Sequence, residues 1–148
     1  MANLKKETDG GRRSVAHDLL GMPTDDIFAT MAQVAAGLPF VQAIHFLEKS
    51  GFTAADTARA LRIPARTWAR RKEQGRFTMP ESERLLRLAQ LFDQAVNLFE
   101  GNIEAARHWF CSPCKALGER QPLALAESEL GGRAVADLIG RLEYGVYS

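Results

Sequence analysis

The chain is short of most of what catalysis and membrane insertion require. It has two cysteines in 148 residues, too few for a disulfide framework, so free thiols are expected. No apolar run approaches the roughly 20 residues of a membrane span. There is no Gly-rich phosphate loop, no GxSxG and no HExxH. Acid pairs such as Glu81/Glu83 and Glu127/Glu129 stand at expected helix starts, where the helix dipole accounts for them. No catalytic residue, cofactor or metal site is expected, and an enzyme is not. Tyrosine is absent until Tyr144 and Tyr147. Strand-type alternation, internal repeats and low-complexity tracts are missing too. The opening "MANLKKETDGGRRS" lacks the apolar centre of a signal peptide, and the expected location is the cytoplasm, with no membrane partner.

What is present is helical punctuation, and the expected fold class is all-α. Residues 1–13 hold Gly10-Gly11, four cations and little that can be buried, so a mobile arm is expected. A short helix is expected from Val15 to Leu20. "PTDDIFATMAQVAAG" has Thr24 as N-cap and Gly37 as stop, with Phe28, Met31, Ala32 and Ala35 on one face. "LPFVQAIHFLEKSG" starts at Pro39 and carries a Phe40, Ile44, Leu47 stripe. "FTAADTARALRIP" has Thr53 as cap and Asp56 at capping-box spacing, giving a short helix over 54–61. A second runs from Ala65 to about Gln74. "TMPESERLLRLAQLFDQAVNLFEG" opens with a Thr78/Glu81 capping box, and its apolar stripe is Leu85, Leu88, Phe92, Ala95 and Phe99. Asn102 caps "IEAARHWF". The last helix spans about Glu129 to Glu143, with Val135, Leu138, Ile139 and Leu142 in register.

Charge is unevenly placed. The chain carries a formal +1, yet residues 59–76 hold seven cations and one acid. From charge alone, a nucleic-acid surface and a solvated basic face are equally good readings. The local pattern favours the first. Two short helices separated by Arg62-Ile63-Pro64 match a helix-turn-helix. Leu61, Ile63 and Trp68 would bury between them. Arg66 and Arg70 would reach base edges, while Thr67, Arg71, Lys72 and Arg76 would grip phosphates. A basic hairpin that binds no DNA is the alternative. A lone helix-turn-helix makes few base contacts, so a homodimer is expected, with Leu85, Leu88, Phe92 and Phe99 as the first candidate interface.

Cys111 and Cys114 form a CxxC beside His108. That makes three ligands without a second pair, and no strand–helix context for redox chemistry; ordinary thiols are expected. The ending "RLEYGVYS" concentrates both tyrosines where a chain is usually polar and frayed. It docks either on its own core or on a partner, and physics alone does not choose.

Four stretches together, "GLPF" (37–40), "LRIPARTWARRKEQGRFTMPESERLLRLA" (61–89), "AARHWFCSP" (105–113) and "ALGERQPLALAESELGGRAVADLIGRLEYGVYS" (116–148), resemble the Xre-like antitoxins of the MbcA/ParS/Xre family. The resemblance implies an antitoxin that binds a RES-domain toxin, an NAD-consuming protein, and represses its own operon by binding operator DNA. It implies a recognition helix carrying Arg66, Thr67, Arg70 and Arg71, and a toxin-binding segment of Arg141, Glu143, Tyr144, Gly145, Val146, Tyr147 and Ser148. Arg62 departs from the Gly of the family's Leu-Gly-Ile-Pro turn. The organisation expected is an N-terminal extension (1–36), a DNA-binding region (37–78) and a C-terminal toxin-binding and dimerisation region (79–148). A stand-alone regulator without a toxin, and a small thiol or metal protein, are the readings from other classes.

Overall fold

The computed structural model describes residues 17–22 and 26–145. The arm over 1–13, the cap expected at Thr24 and the tail residues Val146, Tyr147 and Ser148 lie outside them. A helical turn covers 17–20. The α-helices that follow are α1 (Ile27–Ala36), α2 (Phe40–Ser50), α3 (Ala54–Ala60), α4 (Ala65–Gln74), α5 (Met79–Leu98), α6 (Ile103–Phe110), α7 (Pro122–Leu125) and α8 (Glu129–Glu143), with a 3-10 turn at Lys115–Leu117. The described residues contain no strand; Pro39 and Arg76, and Cys114 and Arg120, form isolated bridges.

α1, α3, α5, α6 and α8 start where a side-chain oxygen satisfies a free N–H group. Thr53 Oγ1 accepts from Asp56 N at 3.0 Å and Asn102 Oδ1 from Ala105 N at 3.0 Å. At α5, Thr78 and Glu81 make the reciprocal capping box, 3.3 Å one way and 2.9 Å the other. α1 is capped by Asp26, whose Oδ2 accepts from Ala29 N at 3.0 Å. The cap is thus Asp26, two residues after the expected Thr24.

One expectation about an apolar face is corrected. α5 lies at the centre and packs against α1, α3, α6 and α8. Leu85, Leu88 and Phe92 are 0% exposed in the protein's own core. Phe99 is half-buried against Trp109, ring centroids 6.2 Å apart. Leu85, Leu88 and Phe92 of the stripe expected to pair with a second copy are therefore already covered by neighbouring helices, and covered side chains have nothing left to offer one. On α1 the reverse holds. Thr30 and Val34 are buried, whereas Phe28 and Met31 are 75% and 58% exposed. α2 buries Phe40, Ala43 and Phe46, and Ile44 and Leu47 flank them half-buried.

Two aromatic groups anchor the interior. Phe46, Phe52, Phe92 and Phe110 meet mostly edge to face, the closest pair (Phe52 and Phe92) at 5.0 Å. Phe40 meets Trp68 at 4.9 Å and Phe77 at 5.3 Å, tying α2 to α4 and the segment after it. Edge-to-face and offset contacts of this kind add about 0.5–1.5 kcal/mol each beyond burial. A single cluster runs from Leu19 to Ile139, so the two halves of the chain share one core.

Candidate nucleic-acid and partner interface

α3 and α4 meet at the expected turn. Ile63 N donates to Ala58 O at 3.0 Å and Arg62 N to Arg59 O at 2.9 Å. Arg62 adopts φ 60, the left-handed conformation that costs a residue with a Cβ about 1–2 kcal/mol. The departure from Gly leaves the turn in place and loads it with strain. Leu61 is fully buried beneath it, and Ile63 and Trp68 pack against the core from its edge.

α4 begins at Pro64, which has no side-chain cap, so its first N–H groups stay free for an anion. Arg66, Arg70, Lys72 and Arg76 are exposed and Thr67 is half-buried. Among the described residues, no carboxylate lies within ion-pair distance of these cations. Arg76 also donates from Nη1 to the Gly37 carbonyl. That contact belongs to a small lock: Phe77 N donates to Leu38 O and Phe40 N to Gly75 O, both at 2.9 Å. Gly37, at φ 92, is required there, because a Cβ would overlap the Phe77 carbonyl oxygen. The lock fixes α4 against α2.

Arg71 is placed differently from the expectation. Its Nε and Nη2 reach both Glu81 carboxylate oxygens, at 2.7 and 2.9 Å, and Nη1 reaches Gln74 Oε1 at 3.1 Å. The two side chains are 13% and 8% exposed. Burial alone would raise the Glu81 carboxyl; the Arg71 guanidinium and the Thr78 N–H outweigh it and hold its pKa below the ordinary value of 4.5. The hydrogen bond to Glu81 in turn raises Arg71. Arg71 therefore faces α5 rather than solvent and orients α4; a bidentate arginine fork is rigid enough for that role. Sequence reasoning assigned Glu81 to the capping box alone, and one residue doing both was invisible in spacing.

Further arginines join this region to the C-terminal half. Arg84 donates to Leu61 O at 3.1 Å, closing α3. Arg87 donates to the carbonyls of Ala126 and Glu127 at 3.3 and 3.4 Å, behind α7. Burial, then the neighbouring Arg84, pull the Arg87 guanidinium below its ordinary range. Arg59 meets Glu127 at 3.1 Å.

At the other end, α8 buries Val135, Leu138 and Ile139 and leaves Arg141, Glu143 and Tyr144 exposed, Tyr144 at 81%. Gly145 turns the chain at φ 69. Tyr144 thus does not belong to the protein's own core; the later tail residues are outside the described ones. Cys111 and Cys114 are free and half-buried, and burial pushes the Cys111 thiol up, away from the reactive thiolate. The described residues contain no His/Cys/Asp/Glu group arranged to hold a metal. No helix among them is long and apolar enough to cross a membrane.

The comparisons fall on these two surfaces. The family model described as an antitoxin Xre-like helix-turn-helix domain matches residues 29–90. The one described as an antitoxin Xre/MbcA/ParS C-terminal toxin-binding domain matches residues 94–145. The first match begins within α1, earlier than the resemblance at residue 37. A protein named "Antitoxin Xre" from Yersinia enterocolitica serotype O:8 / biotype 1B is 48% identical over 95 residues, covering 64% of each chain. Another "Antitoxin Xre", from Photorhabdus laumondii subsp. laumondii, is 33% identical over 130 residues, covering 87% of this chain and 88% of that one.

Proposed function

Because this chain belongs to the Xre antitoxin family, with a helix-turn-helix and a C-terminal toxin-binding domain, we propose that it neutralises a RES-domain, NAD-consuming toxin in the cytoplasm and represses its own operon. The family is regulatory rather than enzymatic, so the chemistry here is recognition. Residues 37–78 read the operator. Arg66 and Arg70 take base edges and Thr67, Lys72 and Arg76 take phosphates, while Arg71 holds the helix that presents them. Residues 79–148 hold the toxin, with 141–148 at its active-site mouth.

The observation that supports this most directly is Tyr144. It stands 81% exposed at the end of a 15-residue helix whose opposite face is buried. A rigid base with a bare aromatic at its tip suits an interface anchor. An enzyme that cleaves NAD must accept a flat ring and phosphates; Tyr144 offers the ring and Arg141 the cation.

Deleting residues 144–148 tests the assignment. The truncated chain is expected to keep its thermal midpoint and its operator affinity, because Tyr144 contributes nothing to the core. Cells carrying it are expected to lose protection from the toxin. Full protection by the truncated chain would show the tail to be a passenger. Arg66→Ala and Arg70→Ala are each expected to cost about 1–3 kcal/mol of operator affinity and to relax one base position. Unchanged operator binding by the double variant would remove α4 as the reading helix.

A further inference from the structure

The end of α1, the start of α2 and Arg76 border a cavity of about 420 Å³, a volume in the range of small-molecule sites. Two glutamines line it. Gln42 is 7% exposed and its Oε1 has no hydrogen-bond partner; the Oε1 of Gln33 is buried and unpartnered too. Only four such side-chain atoms occur among the described residues, so half of them gather on this one cavity. Buried polar atoms are almost always bonded, and two orphans on one wall call for a ligand or an ordered water. Arg76 is the only charge among the lining residues. Its Nη1 donates to the Gly37 carbonyl, and among the described residues no carboxylate pairs with it. α2 begins here without a side-chain cap, which adds the positive end of a helix dipole. Ala32, Ala36 and Pro39 keep the rest of the wall small and apolar.

We propose that this cavity binds an adenine nucleotide, with the base on Gln33 and Gln42 and the phosphate at Arg76 and the first turn of α2. Three demands select that class of ligand. Unpartnered amide oxygens need a donor. A guanidinium without a carboxylate, beside an uncapped helix start, needs an anion. Small apolar walls between them need a flat, weakly polar body. Adenine presents an amino donor next to its N7 acceptor, the pair that a glutamine amide meets with its oxygen and its NH2 group. The terminal torsion of a glutamine is broad, so the Gln42 amide turns towards a ligand without repacking α2. A free amino acid carries the same two kinds of end but is too small for the volume. The operator reading also uses Arg76. One guanidinium does not serve both phosphates, so nucleotide and operator compete, a consequence that rests on that reading.

Calorimetry on the full-length chain with adenosine monophosphate is expected to give one site per chain, with a dissociation constant below about 1 mM. Inosine monophosphate, which has an oxygen in place of the amino group, and inorganic phosphate are each expected to bind at least about 10-fold more weakly, the worth of one good hydrogen bond. Gln42→Leu and Arg76→Ala are expected to weaken the adenosine compound by a similar factor, with helix content unchanged by circular dichroism. Arg66→Ala is expected to leave it unchanged. No binding at millimolar concentration would overturn the proposal and leave the cavity to ordered water. Phosphate that binds as tightly as the nucleotide would also overturn it, as an adventitious ion only. So would equal affinity for the inosine compound, or affinity that survives both variants. If Gln42→Leu fails to fold, Gln33→Leu takes its place. Operator DNA is expected to displace the nucleotide. A nucleotide held with unchanged affinity by the operator-bound protein would take Arg76 from the operator contacts and leave the cavity assignment standing.

Discussion

Removing Arg71 separates a cation that positions the reading helix from one that touches DNA. The guanidinium makes two hydrogen bonds to Glu81, at 2.7 and 2.9 Å, and the pair is 13% and 8% exposed. Arg71→Ala leaves a buried carboxylate with only its Thr78 partners. Breaking a buried pair from one side costs about 3–5 kcal/mol; the residual exposure argues for the lower end, about 3 kcal/mol. For a chain of this size about 2–4 °C follows each kcal/mol, so the thermal midpoint is expected to fall by about 6–12 °C. A double-mutant cycle with Glu81→Gln is expected to return a coupling of about 1–3 kcal/mol. The coupling also carries a pH signature. Glu81 is held below 4.5 in the folded state, so its contribution is complete above that pH and is lost as pH falls through the lowered value. The DNA assay supplies the contrast. Below its melting range, Arg71→Ala is expected to keep the wild-type slope of log affinity against log salt, whereas Lys72→Ala is expected to reduce it by about one. If Arg71→Ala lowers the slope by one and costs under about 0.5 kcal/mol of stability, well short of a broken buried pair, the residue sits on a phosphate and the positioning role is wrong.

Asp93 has a buried, unpartnered Oδ1 and burial raises its pKa to about 6. Its folded value lies above its unfolded one, so stability falls as pH rises from near 4 to 6 and stays lower above. Asp93→Asn is therefore expected to gain about 1–2 kcal/mol at pH 7, after discounting for partial exposure, and nothing near pH 3; urea melts at both pH values check it. Arg62→Gly relieves the left-handed strain at φ 60, partly offset by the greater freedom of an unfolded glycine. A net gain of about 0.5–1 kcal/mol is expected by denaturant titration, with operator affinity retained.

Caps made most helix boundaries legible. Thr53, Thr78 with Glu81, and Asn102 are short polar side chains just ahead of apolar periodicity, and each makes the bond its position implies. α1 was harder because "TDD" offers three candidates in a row, and the last of them closes the bond. Periodicity also reports that a face is apolar without saying what covers it. The Leu85–Phe99 stripe and the Phe28–Met31 face look alike in sequence; one is the centre of the core and the other is bare, because α6 and α8 return over α5 and nothing described returns over α1. The basic stretch was legible as charge, and the Arg62-Ile63-Pro64 turn between two short helices made it legible as a helix-turn-helix. The division of labour within it was not legible. Arg71 and Arg70 are adjacent, and a 100° step around the helix puts one against Glu81 and leaves the other in solvent.

The boundary between the two matched regions, residues 90 to 94, falls inside α5, with no loop there to absorb a change. Their relation is therefore set by helical phase. Each residue inserted or deleted between Gln90 and Gln94 would rotate one region against the other by about 100° and slide it by about 1.5 Å, shearing the shared core. Exchanging one toxin-binding half for another is tolerable only when the graft keeps this count. A lineage that changes toxins while keeping its operator must do so by substitution on a frame of constant length.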